Sequence, residues 1–323
     1  MTDSPRRTRL APSPTGPLHV GNACSFLVTW ALARTLGWEL LLRVEDLDDA
    51  RAREESVRDI GESFAWLGID HDGPAVHQRD RLERYRAAMR ALAAAGLVYE
   101  SPHSRSEVRE AAAALHAPHA PEANAFPASL RPPPGPAWGF AREAINHRLR
   151  VEPGAEPVED QVAGARSYDC ARETGDCIVW TKSGYPAYQL AVVVDDLAQG
   201  VSDVVRGDDL LPSAALQQRI WRALGGAPPR WWHLPLVLDA QGQRMAKRRG
   251  SESLRALREA GVDPARVVGL VAWWCGAQEA LAPMDPGTLR GRVDPSILRR
   301  WHERARTAPP RLDEATLAWL HRT

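Results

Sequence analysis

The chain has 323 residues, and its 41 Lys plus Arg balance 41 Asp plus Glu, so no global field draws it to nucleic acid and any RNA contact must rest on local patches. Its length suggests about two domains, and an apolar fraction of 44% is ample for a buried core. Four scattered cysteines (Cys24, Cys170, Cys177, Cys275) exclude a disulfide framework, and a polar N-terminus without a long apolar run argues against a leader or a membrane span, so a cytoplasmic protein is expected.

Thr8, Leu10 and Ala11 end an apolar run that predicts a short strand. Pro12, Pro14, Gly16 and Pro17 then forbid regular structure and set a stiff loop. A helix follows, with Asn22 as a good N-cap and Leu27, Trp30 and Ala31 on one apolar face. Strand, loop and helix start suit phosphate binding, because free backbone N–H groups and the helix dipole both face an anion there. His19 lies in that loop within reach of a phosphate oxygen, and Gly21 keeps the backbone open to a nucleotide. Residues 37–44 predict a buried parallel strand with Glu45 at its C-terminal end, where open α/β sheets bind ligands. In the acidic tail Glu45, Asp46, Asp48 and Asp49, a solvated capping loop is expected for Asp48 and Asp49, and a ligand role for Glu45. Helices are predicted over 54–67, closed by Gly68, and 78–95, closed by Gly96, their many arginines and glutamates read as solvated faces. The alternation argues for a doubly wound α/β sheet.

From Tyr99 to about Arg150 the chain is rich in Ala, Pro and His, with a stiff loop at Pro132–Pro136. Strands are predicted over 145–151 and from Asp176, with a turn at Ser183-Gly184 and a second element running through Tyr188. Arg206 ends another apolar run, and 233–238 predicts a strand followed by a turn over 239–242. A basic stretch, Arg244 to Arg249, comes next, then helices over 253–260 and 264–275. From Leu289 the charge turns basic at Arg290, Arg292, Arg299, Arg300, Arg304, Arg306 and Arg311, which suits a solvated helix or an RNA-facing surface equally well.

Two stretches carry a resemblance. His19-Val-Gly-Asn22 is similar to the "HIGH" box of class I aminoacyl-tRNA synthetases, and Arg244-Met-Ala-Lys-Arg248 to their "KMSKS" loop. The flanks, from Arg9 to Gly16 and Leu42-Arg-Val-Glu-Asp-Leu-Asp48, resemble the glutamyl/glutaminyl branch, with Asn22 standing where the box ends in His. The implied fold is a class I synthetase-type Rossmann nucleotide-binding fold with an inserted subdomain and a C-terminal helical region. Its expected layout is a first Rossmann half over 1–98, an inserted acceptor-type subdomain over 99–186, a second half over 187–240 and a signature loop with helical stem-contact region over 241–323, with no anticodon-binding domain.

The resemblance also implies chemistry. Arg9, Ala11, Ser13, Glu45, Tyr188 and Arg206 fall where the branch contacts glutamate, and His19, Gly21, Asn22 and Lys247 where it binds ATP. His19 and Lys247 are the implied catalytic pair, stabilising charge on the phosphates of ATP with its Mg²⁺. Two arginines and a tyrosine suit the carboxylates of glutamate and one acid its ammonium, so glutamate is a better match than glutamine. Short members of the branch carry zinc in the insert. Ser101, His103, Phe126 and Leu130 occupy the corresponding positions, leaving one ligand of the four needed, so zinc is not expected there; His116 and His119 keep a weaker metal reading open beside the favoured one of exposed loop histidines. A chain confined to the catalytic core implies activation of glutamate without tRNA and transfer to the queuosine base in the anticodon arm of tRNA(Asp), by a monomer. Three other readings stand beside it: a shortened synthetase charging tRNA(Glu), a nucleotidyltransferase using the His19 box alone, and a non-catalytic binding paralogue. Arg9, Glu45, Tyr188 and Arg206 together weigh against the second, and His19, Gly21 and Lys247 against the third.

Overall fold

In the computed structural model, residues 5–47, 54–104, 106–108, 110–111, 125–135, 138–245 and 253–322 are described. Asp48, Asp49, His116, His119 and Lys247 lie outside these residues. The first strand, β1 (Arg7–Leu10), is followed by α1 (Val20–Thr35), β2 (Glu39–Val44), α2 (Glu54–Trp66), β3 (Val76–His77) and α3 (Leu82–Ala94). Next come β4 (Val98–Glu100), β5 (His147–Leu149), β6 (Ala155–Asp160), β7 (Gly164–Asp169), α4 (Cys170–Glu173) and β8 (Cys177–Trp180). The chain continues through α5 (Tyr188–Ala198), β9 (Asp203–Gly207), α6 (Leu211–Ala223), β10 (Arg230–Leu234) and β11 (Leu238–Asp239). It closes with α7 (Leu254–Glu259), α8 (Pro264–Cys275), α9 (Pro286–Arg290), α10 (Pro295–Ala305), β12 (Arg311–Leu312) and α11 (Glu314–Leu320).

Two sheets meet edge to edge at β1 and β9. On one side β1 pairs in parallel with β2, and β2 with β3. On the other side β9 lies alongside β1, where the Ser202 N–H donates to the Arg7 carbonyl at 2.9 Å. β9 pairs in parallel with β10, and β10 with β6. Successive β-α-β units therefore wind away from β1 in opposite senses, and the strand ends part at β1 and β9. Ligands of open α/β sheets bind at such a switch point.

Several local expectations change. Helix α1 starts three residues earlier than expected: His19 is the N-cap, its side chain accepting from the Asn22 N–H while Asn22 Oδ1 accepts from the His19 N–H. Imidazole Nδ1 is an acceptor of the right reach, so the pair forms a capping box. The expected 78–95 helix opens with a 3-10 turn over Gln78–Arg81, where Gln78 and Arg81 turn inward to Asp195 rather than solvating the helix face. Asp46, given no role in the sequence, is buried and accepts from the Arg79 N–H at 3.0 Å, with His77 Nδ1 at 2.8 Å. The hairpin β6–β7 was not anticipated. Its inward positions on β6 are Glu156, Val158 and Asp160, so two carboxylates sit where alternation would call for apolar side chains. Gln218, Arg219 and Arg222 of α6 satisfy Glu156.

Strands β4, β5 and β8 form a separate antiparallel sheet within 98–180. Ser101 is buried and accepts from Arg148 Nε at 3.1 Å, and the Arg148 guanidinium lies 3.8 Å from the Phe126 ring centre. Asp176 ties this region together, accepting from Tyr99 OH, from two nitrogens of Arg131 at 2.8 Å each and from the Val151 N–H. His103 stands beside Phe126, Leu130 sits on a short 3-10 turn, and no group of three potential metal ligands occurs among the described residues. All four cysteines are buried free thiols. Among the described residues no helix is long and apolar enough to cross a membrane.

Candidate active site

The carboxyl ends of β1, β2 and β9 and the first turn of α1 enclose a cavity of about 520 Å³. Of the residues singled out in the sequence, Arg9, Ala11, His19, Gly21, Asn22, Glu45, Tyr188 and Arg206 all line it. Ser13 lies just outside, its Oγ 3.5 Å from Glu45, on a wider groove of about 1320 Å³ that shares Glu45 and Tyr188 and runs toward His103, Arg148 and Lys182.

Charge in the cavity is arranged in a chain. Arg9 donates to Asp196 at 3.2 Å and to the Val205 carbonyl at 3.3 Å. Arg43, 0% exposed near the C-terminal end of β2, donates to the same Asp196 oxygen at 2.6 Å and to Glu45 at 3.2 Å. Burial opposes its charge, but Asp196, Glu45 and Asp195 outweigh that and hold the guanidinium above its ordinary range. Burial likewise pushes Glu45 upward against the pull of Arg43 and Arg9, so its charge lacks solvation that an ammonium could supply. Asp196 is also buried, yet Arg43 and Arg9 draw it below its usual range.

Arg206 differs from the other two arginines. Its guanidinium donates to His233 Nε2 at 3.0 Å, Gln217 Oε1 at 2.8 Å and the Leu210 carbonyl at 3.1 Å, and lies 4.9 Å from the Trp231 ring centre. Every one of these partners is neutral, and among the described residues Arg206 makes no ion pair. Burial lowers its pKa, with Arg9 adding to the shift and the Tyr188 phenol opposing it. A buried cation held only by neutral hydrogen-bond acceptors is costly, so the cavity carries a positive charge that Asp196 offsets only at a distance. Tyr188 is 40% exposed at the open side, and its phenol is pushed up by loss of bulk water while Arg206 pulls it down.

The two signature stretches meet at the other end. A Cβ on Gly21 would lie 3.0 Å from the His19 ring and 3.3 Å from Met245 Sδ, so the absence of a side chain lets the second signature pack on the first. His19 bridges Ser253, and the Leu254 N–H donates to the Leu18 carbonyl at 2.7 Å. With Nδ1 accepting from Asn22, the neutral His19 ring carries its proton on Nε2. Arg244 pairs with Asp209 at 2.6 Å on the cavity wall.

This geometry agrees with independent likeness to known proteins. Residues 6–279 match the family described as tRNA synthetases class I (E and Q), catalytic domain.

The chain belongs to this family.

Among class I synthetase relatives it is 38% identical to the Glutamyl-Q tRNA(Asp) synthetase of Nitratidesulfovibrio vulgaris over 312 residues, covering 90% of this chain and 93% of that one. It is 38% identical to the Glutamate–tRNA ligase of Burkholderia vietnamiensis, covering 83% of this chain but 57% of that one. Its fold is that of the glutamate-tRNA synthetase of Elizabethkingia anophelis, with a TM-score of 0.77 over 98% of this chain and 70% of that one, at 22% identity.

Sequence reasoning assigned no role to Arg43, Asp196, Asp209 or His233. Arg43 carried a usable signal: an arginine inside an apolar strand must find a carboxylate, since arginine is almost never fully buried unpaired. Asp196 at the end of an apolar helix carried the matching one. Nothing local marks His233, whose partners come from β6 and β9.

Proposed function

We propose that the protein activates glutamate with ATP and transfers it to the queuosine base in the anticodon of tRNA(Asp). One observation carries the choice of substrate: Arg206, a buried guanidinium held only by neutral acceptors, shares its cavity with Arg9, Tyr188 and Glu45. Around the cavity the four arginines Arg9, Arg43, Arg81 and Arg206 face the three carboxylates Glu45, Asp195 and Asp196, an excess of one cation that suits a ligand of net charge minus one. The glutamate side-chain carboxylate meets Arg206 and Tyr188, and its ammonium meets Glu45 beside Ala11 and Ser13. The α-carboxylate oxygen attacks the α-phosphorus of ATP, supplied as its magnesium complex. The bond to pyrophosphate breaks, and glutamyl-adenylate forms without a covalent enzyme intermediate. His19, Gly21 and Asn22 at the α1 N-terminus, and Lys247 beyond Met245, hold the phosphates and stabilise the charge that grows on them. The acyl group then passes to the acceptor base and AMP leaves. The anticodon arm approaches along the groove bordered by Lys182 and Arg148, on a monomeric cytoplasmic enzyme.

The near-complete coverage of the Nitratidesulfovibrio vulgaris relative, against 57% of the Burkholderia vietnamiensis ligase, supports this acceptor over the 3′ end of tRNA(Glu). The test is glutamate-dependent ATP–pyrophosphate exchange without tRNA, then transfer of labelled glutamate to tRNA(Asp) with and without queuosine. Exchange without tRNA and queuosine-dependent label are expected. Label on the 3′ end of tRNA(Glu) instead makes it a charging synthetase, and no exchange in any condition makes it a binding paralogue.

A further inference from the structure

Strands β9 and β10 run in register so that Arg206 stands opposite His233. The Arg206 Nε–H donates to His233 Nε2 at 3.0 Å, and on the other side of the ring His233 Nδ1 lies 2.6 Å from Asp160 Oδ2. Asp160, on the next strand, is itself pinned: its Oδ1 accepts from the N–H groups of Val162 at 2.9 Å and Ala163 at 2.7 Å, and its Oδ2 from the His233 N–H at 3.2 Å. An ionised carboxylate has no proton to give, so the imidazole proton sits on Nδ1. Nε2 is then the bare acceptor that an arginine N–H requires. The ring is 0% exposed, and burial favours its neutral form. Neither Asp160 nor His233 lines the cavity.

The guanidinium has five N–H donors, and one on each nitrogen is taken by His233, Gln217 and the Leu210 carbonyl. The remaining N–H groups on the two terminal nitrogens are left for Tyr188 and a ligand. Held at all three nitrogens, Arg206 can neither rotate nor withdraw. A ligand presenting a carboxylate oxygen meets a donor, while one presenting an amide N–H₂ puts donor against donor. A site with fixed polar groups rejects the mismatched analogue far more strongly than one that can rearrange.

We infer that Asp160 and His233 are positioning residues that set substrate specificity: Asp160 selects the His233 tautomer, and the bare His233 Nε2 locks Arg206 in the orientation that accepts glutamate and rejects glutamine. This rests on the reading of the cavity as a glutamate site. Neither residue touches the ligand, so both act through Arg206.

Pyrophosphate exchange measures it. Asp160→Asn replaces the carboxylate oxygen facing Nδ1 with an amide donor, moves the ring proton to Nε2 and opposes the Arg206 N–H. Asp160→Asn and His233→Leu should each raise the glutamate KM at least tenfold and narrow the preference for glutamate over glutamine, with the ATP KM within about twofold of wild type. His233→Gln, whose amide oxygen reaches the place of Nε2, should recover most of both. Wild-type glutamate KM and preference in His233→Leu would overturn the inference. Nitrogen-15 NMR of the wild-type ring at pH 7 tests it with no substitution: a neutral ring with the proton on Nδ1 is expected, and a proton on Nε2 or an imidazolium overturns it. Absence of glutamate-dependent exchange in the wild-type protein is a different result. It removes the functional reading and with it the choice of substrate, whatever the variants do.

Discussion

At the scale of single residues, the cavity depends on charged groups removed from water, and their pKa directions make that dependence measurable. His233 is lowered to about 4, first by burial, with Arg206 adding to the shift and Asp160 opposing it. A histidine whose folded pKa lies below its unfolded value of 6.5 binds fewer protons when folded, so its contribution to stability is intact above pH 6.5 and is lost as the pH falls toward 4. The shift corresponds to at most about 3 kcal/mol over that window. Urea midpoints of wild type should therefore fall relative to His233→Gln between pH 6.5 and 4, with the difference levelling off below. Parallel curves for the two proteins would mean that the imidazole titrates freely. Much of the cavity was legible at this scale: Glu45 from its place at a strand end and His19 from its loop before a helix, while Arg9, Tyr188 and Arg206 were named through the family resemblance. His233 was not, since a histidine within a strand looks the same whether it orients another residue or merely fills space.

At the scale of elements, the local signals that were read correctly are those closed within a few residues. The helix over Pro264–Cys275 has the expected bounds because Asp263 caps it, Pro264 starts it and Gly276 ends it in a left-handed conformation, φ +82. The hairpin β6–β7 was missed because its buried carboxylates are satisfied by α6 and β10, remote in sequence. The same holds for the segment where the branch carries zinc. There Asp176 joins β4, the Arg131 turn and Val151 just beyond β5, and Arg148 joins Ser101 to Phe126. Asp176→Ala leaves Arg131, the Tyr99 hydroxyl and the Val151 N–H without their acceptor, and a broken buried pair costs about 3–5 kcal/mol. Urea unfolding should show a loss of that order, while a chelator should leave wild-type stability unchanged. An Asp176→Ala protein as stable as wild type would mean that another contact holds the segment. The C-terminal arginines, open between a solvated helix and an RNA surface, divide in a third way: Arg292, Arg299 and Arg304 donate to the carbonyls of Ala277, Gln161 and Trp274 and so fasten α10 and its neighbours to the body.

At the scale of the whole molecule, two apolar clusters meet around the cavity. One gathers α1, β1, β2, α2 and α8, and the other α3, β8, α5 and α6. Arg9 lies in a strand of the first and Glu45 directly follows another, while Tyr188 opens α5 in the second, so a ligand spanning these residues binds the folded protein alone and couples the two parts. Glutamate alone at about a hundred times its dissociation constant should stabilise the fold by about 2.7 kcal/mol, or about 4 °C in Tm for a chain of this size. Glutamine in place of glutamate should give little of that shift, and equal shifts for the two would remove the charge argument made for Arg206. The sequence by itself determined the motif identities and the alternation of strands and helices, because these are written in short-range pattern and in residue chemistry, and through the motif resemblance it named most of the side chains that line the cavity. Only the tertiary structure decided which charges are compensated. That Arg9 and Arg43 share Asp196 while Arg206 has neutral partners alone follows from the pairing of β9 with β10 and the packing of α5 on the sheet, contacts whose members lie far apart along the chain and leave no local trace.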